Sequence, residues 1–214
     1  RKAYRLVIEH IDTEFGRVLS VLDELKIAEN TIVVFTSDNG PWLGKQHHAG
    51  SALPLRRGKT TTFEGGMRVP CVMRWPAGGI QPGQVLSQVT SSIDLLPTFA
   101  AITGAELPAD RPIDGKDLSP LFRNPAAPSA HDEEGFCYYQ HGKVQAFRLG
   151  NYKLHLKEKG RPELYDLDAD ISESINIAPS RPELVVELTR MAKDYDAELK
   201  ANVRPLWQQK ALRP

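Results

Sequence analysis

The run Ile32-Val33-Val34-Phe35 constrains this chain most. Unbroken β-branched and aromatic residues without a polar interruption predict a strand covered on both faces. It ends abruptly in Thr36-Ser37-Asp38-Asn39-Gly40-Pro41, a polar turn. Before it, Tyr4, Val7, Ile8, Ile11, Phe15, Val18, Leu19, Leu22 and Leu25 recur at helical spacing, and Asn30-Thr31 makes the connection. A helix, a tight turn, a buried strand and a polar loop form half of a βαβ unit. That order predicts an α/β fold with a mostly parallel or mixed sheet flanked by helices. The stripe must find an apolar partner. Because it begins almost at once, after an Arg1 that is not methionine, the chain reads as an excised piece.

Residues 41–66 are rich in Gly, His and Arg with little periodicity, which marks a site loop. Val69-Pro70-Cys71-Val72-Met73-Arg74-Trp75 predicts a second strand. Asp94 is placed to cap a helix ending at Thr103, with Pro97 in its first turn and Gly104 as the stop. The Pro- and Asp-rich segment from Ala105 to about Ala130 reads as a crossing toward a second unit. The expected division is 1–125, the end of a large α/β domain, and 126–214, a small α+β subdomain. In the latter, 135–140, 143–149, 152–156 and 163–166 are strand-like runs separated by turns, the pattern of an antiparallel meander. A terminal helix follows, with Ser180 and Glu183 as a capping box around Pro182 and Leu184, Leu188, Met191, Tyr195 and Leu199 along one face. It is expected to pack on the small sheet.

With 214 residues, 27 Lys+Arg against 27 Asp+Glu and a formal net charge of +0, nothing favours a nucleic-acid or anionic-membrane partner electrostatically. No apolar run approaches the ~18 residues of a membrane span. Cys71 and Cys137 lie far apart, without His or Cys at metal spacing, and read as small buried hydrophobes in strands.

Two segments carry candidate chemistry. Asp38 and Asn39 follow the strand and offer hard oxygen ligands of the kind Ca²⁺ or Mg²⁺ prefers, although calcium takes about 6–8 oxygens. Taken alone, Asp-Asn-Gly reads first as a simple turn whose side chains bond the local backbone. In Arg56-Arg57-Gly58-Lys59-Thr60-Thr61-Thr62-Phe63-Glu64-Gly65-Gly66, cations, hydroxyls and glycines suit an oxyanion cradle or a solvated basic loop. The spacing of a nucleotide-binding P-loop is absent. His10, His131, His141 and His155 read as surface or satisfied core histidines, with His155 able to reach a cleft rim. Trp75 and Trp207 read as packing residues, while Trp42 is the candidate sugar platform because it follows the polar turn.

Together, Thr36-Ser37-Asp38-Asn39-Gly40-Pro41 and Leu55-Arg56-Arg57-Gly58-Lys59 through Glu64-Gly65-Gly66-Met67-Arg68-Val69-Pro70 resemble the type I sulfatases. Glu9-His10-Ile11-Asp12, Asp94-Leu95-Leu96-Pro97-Thr98, Ile113-Asp114-Gly115 and Leu164-Tyr165-Asp166-Leu167 fall where arylsulfatases and N-acetylgalactosamine-6-sulfatase-like enzymes carry similar words. The resemblance is to their C-terminal half. It implies an alkaline-phosphatase-like fold, sulfate-ester hydrolysis, Asp38 and Asn39 as calcium ligands, and Lys59 as the lysine contacting sulfate. His48, in His48-Ala49-Gly50-Ser51, is implied as a substrate contact.

The family's nucleophile, a formylglycine made from Cys/Ser-x-Pro-x-Arg, has no counterpart here, since Ala52-Leu53-Pro54-Leu55-Arg56 carries Ala at the key position. The implied partners are a sulfated small molecule or glycan and an N-terminal half holding that nucleophile. The implied setting is periplasmic, secreted or lysosomal. A phosphatase or phosphonate hydrolase of the same superfamily, and a non-catalytic binder of sulfated glycans, stand as alternatives.

Overall fold

The computed structural model describes residues 2–157 and 160–203. The opening stripe forms α1 (Lys2–Glu24), anchored on the strand that follows it by Phe15, stacked obliquely on Phe35 at 4.9 Å between centroids. None of its residues is buried. Phe15, Leu19 and Leu22 of the stripe found by periodicity are half-buried, while the rest lies open among the described residues, with Val7 57% exposed.

β1 (Val33–Thr36) follows, then the site loop, the single turn α2 (Glu64–Met67) and β2 (Cys71–Arg74). β1 and β2 pair antiparallel, Val33 opposite Arg74 and Thr36 opposite Cys71. The strand relation present in this part of the α/β fold is thus antiparallel, where half of a βαβ unit predicted a parallel neighbour. Nor is β1 covered on both faces: Phe35 and, on β2, Val72 are exposed. Cys71 is exposed as well, which corrects its reading as a buried hydrophobe, whereas Cys137 is buried; both are free thiols.

Leu118, Leu121 and Phe122 form one core cluster with Ile32, Met73, Trp75 and Ile80. Trp75 meets Phe122 edge-on at 6.4 Å, a packing residue as expected. The segment read as a crossing contains one short helix, α4 (Ser119–Arg123), and a second, α5 (Ala130–Glu134), begins at its end. Before them, α3 (Leu95–Thr103) ends at Gly104 in the left-handed region (φ 71°) as predicted. Asp94 does not act as its N-cap. It is helical itself and its carboxylate accepts from the backbone of Ser91 (2.6 Å) and Lys116 (2.8 Å) and bonds His131 Nε2 (2.8 Å). The Ser91 bond belongs to a capping box that begins the preceding 3-10 turn at Ser91, with Asp94 as its third residue, while Lys116 and His131 engage the other oxygen.

The second sheet is the expected meander, β3 (Phe136–Gln140), β4 (Lys143–Leu149), β5 (Tyr152–His155) and β6 (Glu163–Asp166), antiparallel in chain order. His141 and Gly142, both at positive φ (52° and 72°), close the first hairpin with the twist a two-residue turn needs. α6 (Pro182–Ala201) lays Leu184, Leu188, Met191 and Tyr195 onto Phe147, Leu154 and Leu164. Its capping box is absent. Arg181 occupies the cap position without a side-chain bond, and the Ser180 hydroxyl donates to the Ile177 carbonyl (2.9 Å), drawn into the preceding 3-10 turn. Trp207 lies outside the described residues. No described helix is long and apolar enough to cross a membrane.

Candidate functional site

The polar turn and the glycine loop are built against each other. Gly40 N–H donates to the Gly66 carbonyl (3.0 Å), and Lys59 N–H donates to the Pro41 carbonyl (3.0 Å). The approach is so close that a Cβ on Gly40 would lie 1.8 Å from the Gly65 carbonyl oxygen. Glycine at this position is a steric requirement, because any side chain would wedge the two segments apart.

Lys59 is half-buried, and among the described residues it pairs with no carboxylate. Its Nζ sits 5.6 Å from the centroid of the Trp42 ring, which also carries Lys45 at 4.4 Å. An ammonium without a counter-ion, steadied by an aromatic face, is available to an oxyanion. Trp42 itself is about half exposed (52%), in keeping with a platform rather than a core residue.

Asp38 is exposed and Asn39 half-buried, on the turn next to the lysine loop. Asp38 makes no hydrogen bond or ion pair with the described residues, so its oxygens are available to a hard cation. Among those residues no group of three or more His, Cys, Asp or Glu side chains gathers to hold a metal. The donor set thus fits part of an oxygen shell for calcium and no more. His48 ends a 3-10 stretch, Leu43–His48, fully on the surface. The structure gives it no bond to Lys59, Asp38 or Asn39.

The loop between Arg56 and Glu64 is closed at its base by Gly65 N–H donating to the Arg56 carbonyl (2.9 Å). That base is gripped by the small sheet. Arg56 Nη1 donates to the Tyr165 hydroxyl (2.9 Å) and to the Glu173 carbonyl (2.6 Å). Glu64 N–H donates to Glu173 Oε2 (2.7 Å), and Lys153 Nζ reaches Glu64 Oε1 (2.8 Å) and Glu173 Oε1 (3.1 Å). His155 Nε2 bonds Glu173 Oε1 (2.8 Å), and its ring stacks on Phe63 at 4.3 Å. Lys153 and Glu173 are fully buried. Burial alone would raise the Glu64 carboxyl, but Lys153 and Arg68 outweigh it and hold the group below the usual carboxylate range. Burial, with Asp196 nearby, pushes the Cys137 thiol up to about 12, which excludes it as a thiolate nucleophile.

Sequence reasoning gave no role to Glu64, Lys153 or Glu173. The one available signal was a lysine inside Tyr152-Lys153-Leu154-His155, a strand whose other face is core. A cleft of about 590 Å³ lies between the loop and the first hairpin, lined among others by Thr60, Thr61, Phe63, Gln140 and His155. His155 thus combines a satisfied core contact with a place on the cleft wall.

Comparison with known proteins agrees with this architecture. The family described as "Sulfatase" matches residues 1–105, and "N-sulphoglucosamine sulphohydrolase, C-terminal" matches residues 58–198. The chain is similar to steryl-sulfatase of Mus musculus (44% identity over 154 residues, 70% of this chain and 24% of that protein). It is also similar to N-acetylgalactosamine-6-sulfatase of Sus scrofa (43% over 156 residues, 72% and 29%). The crystal structure of the sulfatase PsFucS1 from Pseudoalteromonas sp. superposes with a TM-score of 0.82 at 26% identity, covering 92% of this chain and 42% of that one. The expected alkaline-phosphatase-like α/β fold is the one these sulfatase structures share. The chain spans between about a quarter and three tenths of the length of these curated relatives.

Proposed function

This chain belongs to the sulfatase family, and on that premise we propose that it supplies the C-terminal part of an enzyme hydrolysing sulfate esters of a sugar or aryl alcohol. The observation that carries the reading is the packing of the Asp38-Asn39-Gly40-Pro41 turn on the Lys59 loop through the Gly40–Gly66 and Lys59–Pro41 backbone bonds. A carboxylate–amide pair and an uncompensated ammonium on adjoining loops suit one tetrahedral anion.

In this reading Lys59 binds and orients the sulfate oxygens, balancing charge that grows as the ester bond breaks. Asp38 and Asn39 would hold calcium, with the remaining ligands supplied from outside these residues. When bound, calcium offers Lewis-acid stabilisation of the sulfate oxygens. Trp42 gives the substrate an apolar wall, and His48 flanks the entrance. The nucleophile, a formylglycine by family resemblance, is assigned to an N-terminal half. The uncovered α1 stripe and the open faces of β1 and β2 provide an apolar surface for that half. The division into 1–125 and 126–214 is supported by the two separate core clusters. The enzyme's setting is periplasmic, secreted or lysosomal.

The test is sulfate release from a chromogenic ester. The complete enzyme should lose about 10²–10³ in kcat/KM on Lys59→Ala, the usual effect of deleting one charge-stabilising group. The 214-residue chain alone should release none. Full activity of the Lys59→Ala enzyme, or turnover by the chain alone, overturns the proposal.

A further inference from the structure

Glu173 touches both legs of the loop that carries Lys59: its carbonyl receives Arg56 and its carboxylate receives the Glu64 backbone N–H. It does so at φ 51°, in the left-handed region that a side chain other than glycine seldom occupies. Arg57 and Thr60 within the loop are also left-handed, at 63° and 72°. Such backbone persists only where surrounding bonds fix it.

We propose that Glu173 is a positioning residue for the anion site: with Lys153 and Tyr165 of the small sheet it sets the Lys59 loop against the Asp38–Pro41 turn. This rests on the reading of Lys59 as the sulfate contact.

Stability alone is a poor account of the cluster. A buried ion pair roughly breaks even against well-packed apolar residues of similar volume, so Lys153 of β5, buried between Glu64 of α2 and Glu173 of the segment after β6, is better accounted for by the geometry it specifies. That geometry is local. Arg56 is further pressed on the Phe63 ring at 4.3 Å, and Phe63 on His155, so the loop's first leg, its second leg and β5 are locked in one stack. From the opposite side the Lys59 backbone bonds Pro41, so displacement of the legs reaches the polar turn directly. The first hairpin adds a further tie, Gln140 Nε2 donating to the Thr60 carbonyl. The small sheet therefore holds the loop base through Glu173 and the loop crest through Gln140, and leaves the Lys59 side chain itself unengaged.

Two measurements on Glu173→Gln and Tyr165→Phe test this. The first is amide hydrogen exchange in the complete enzyme. The amides of Lys59 and Gly65 should exchange about tenfold faster, matching the loss of one hydrogen bond to a charged group, while the Leu188 amide of α6 is unchanged. Equal acceleration at Leu188, or none at Lys59 and Gly65, overturns the proposal. Should Glu173→Gln fail to fold, Tyr165→Phe decides, since it deletes only a hydroxyl.

The second is competitive inhibition of the complete enzyme by inorganic sulfate. The inhibition constant should rise about tenfold in Glu173→Gln, in the same direction as in Lys59→Ala. An unchanged constant in Glu173→Gln beside a raised one in Lys59→Ala overturns the positioning role. An unchanged constant in Lys59→Ala overturns the sulfate reading instead, and the exchange result then stands by itself.

Discussion

α1 and α6 are both long amphipathic helices with apolar residues at helical spacing, yet their fates are opposite. α6 sinks Leu188 and Ala192 completely into the meander, whereas α1 buries nothing. The same contrast divides the sheets: β4 and β5 hold Phe147 and Leu154 at zero exposure, while Phe35 and Val72 of the first sheet face outward. Periodicity declares that a helix has an apolar face, but only the partner's presence decides whether burial stabilises it. The second half of the chain carries its own partner. The first half offers a face.

The largest expected effect lies where the two halves meet. Lys153→Met should lower the unfolding free energy of the chain by about 3–5 kcal/mol in urea titrations, because it removes the one cation that two buried carboxylates share and leaves Glu64 with Arg68 and Glu173 with His155. A loss below ~1 kcal/mol would mean that the charges are solvated and that the halves are less tightly joined than the distances imply.

Acid should loosen the same junction. Glu64 is held below its ordinary 4.5, so its contribution is fully present above about pH 4.5 and is lost as pH falls through the folded-state value. The urea midpoint, followed by tyrosine fluorescence of the small sheet, should therefore fall progressively below about pH 4.5. A Glu64→Gln chain should show a flatter acid limb, and an identical limb would remove Glu64 as the cause. The exposed Arg5–Glu9 pair of α1, at 2.6 Å, should add almost nothing to it.

The smallest effect is the sharpest test of the contrast. Val7→Ser on α1 should change stability by no more than about 0.5 kcal/mol, as surface substitutions do, whereas Leu188→Ala should cost about 2–5 kcal/mol. If Val7→Ser proves as costly as Leu188→Ala, α1 is covered within the chain and the contrast fails.

The meander was legible because short aromatic and β-branched runs alternate with turn residues, and His141-Gly142 supplies positive φ where a tight hairpin needs it. The adjoining placement of the Asp38 turn and the Lys59 loop was legible as well, from motif resemblance rather than periodicity. What stayed hidden was non-local. Glu64 and Lys153 are 89 positions apart, and each alone reads as an ordinary surface charge. The capping roles given to Asp94 and Ser180 failed for a related reason: the Asp94 carboxylate is engaged by Ser91, Lys116 and His131, and the Ser180 hydroxyl by the Ile177 carbonyl. The burial expected of β1 failed because a strand's composition records the cover it was built for, which the described residues do not provide.

The ionic knot of Glu64, Lys153 and Glu173 has a consequence for how such proteins diversify. Neither region can be grafted onto a relative without cost, since the second region would carry buried Lys153 and Glu173 without Glu64, and the loop would carry Glu64 with Arg68 but without Lys153. Inheritance of the two must be joint, so the boundary near residue 125 suggested by composition is not one at which recombination is harmless.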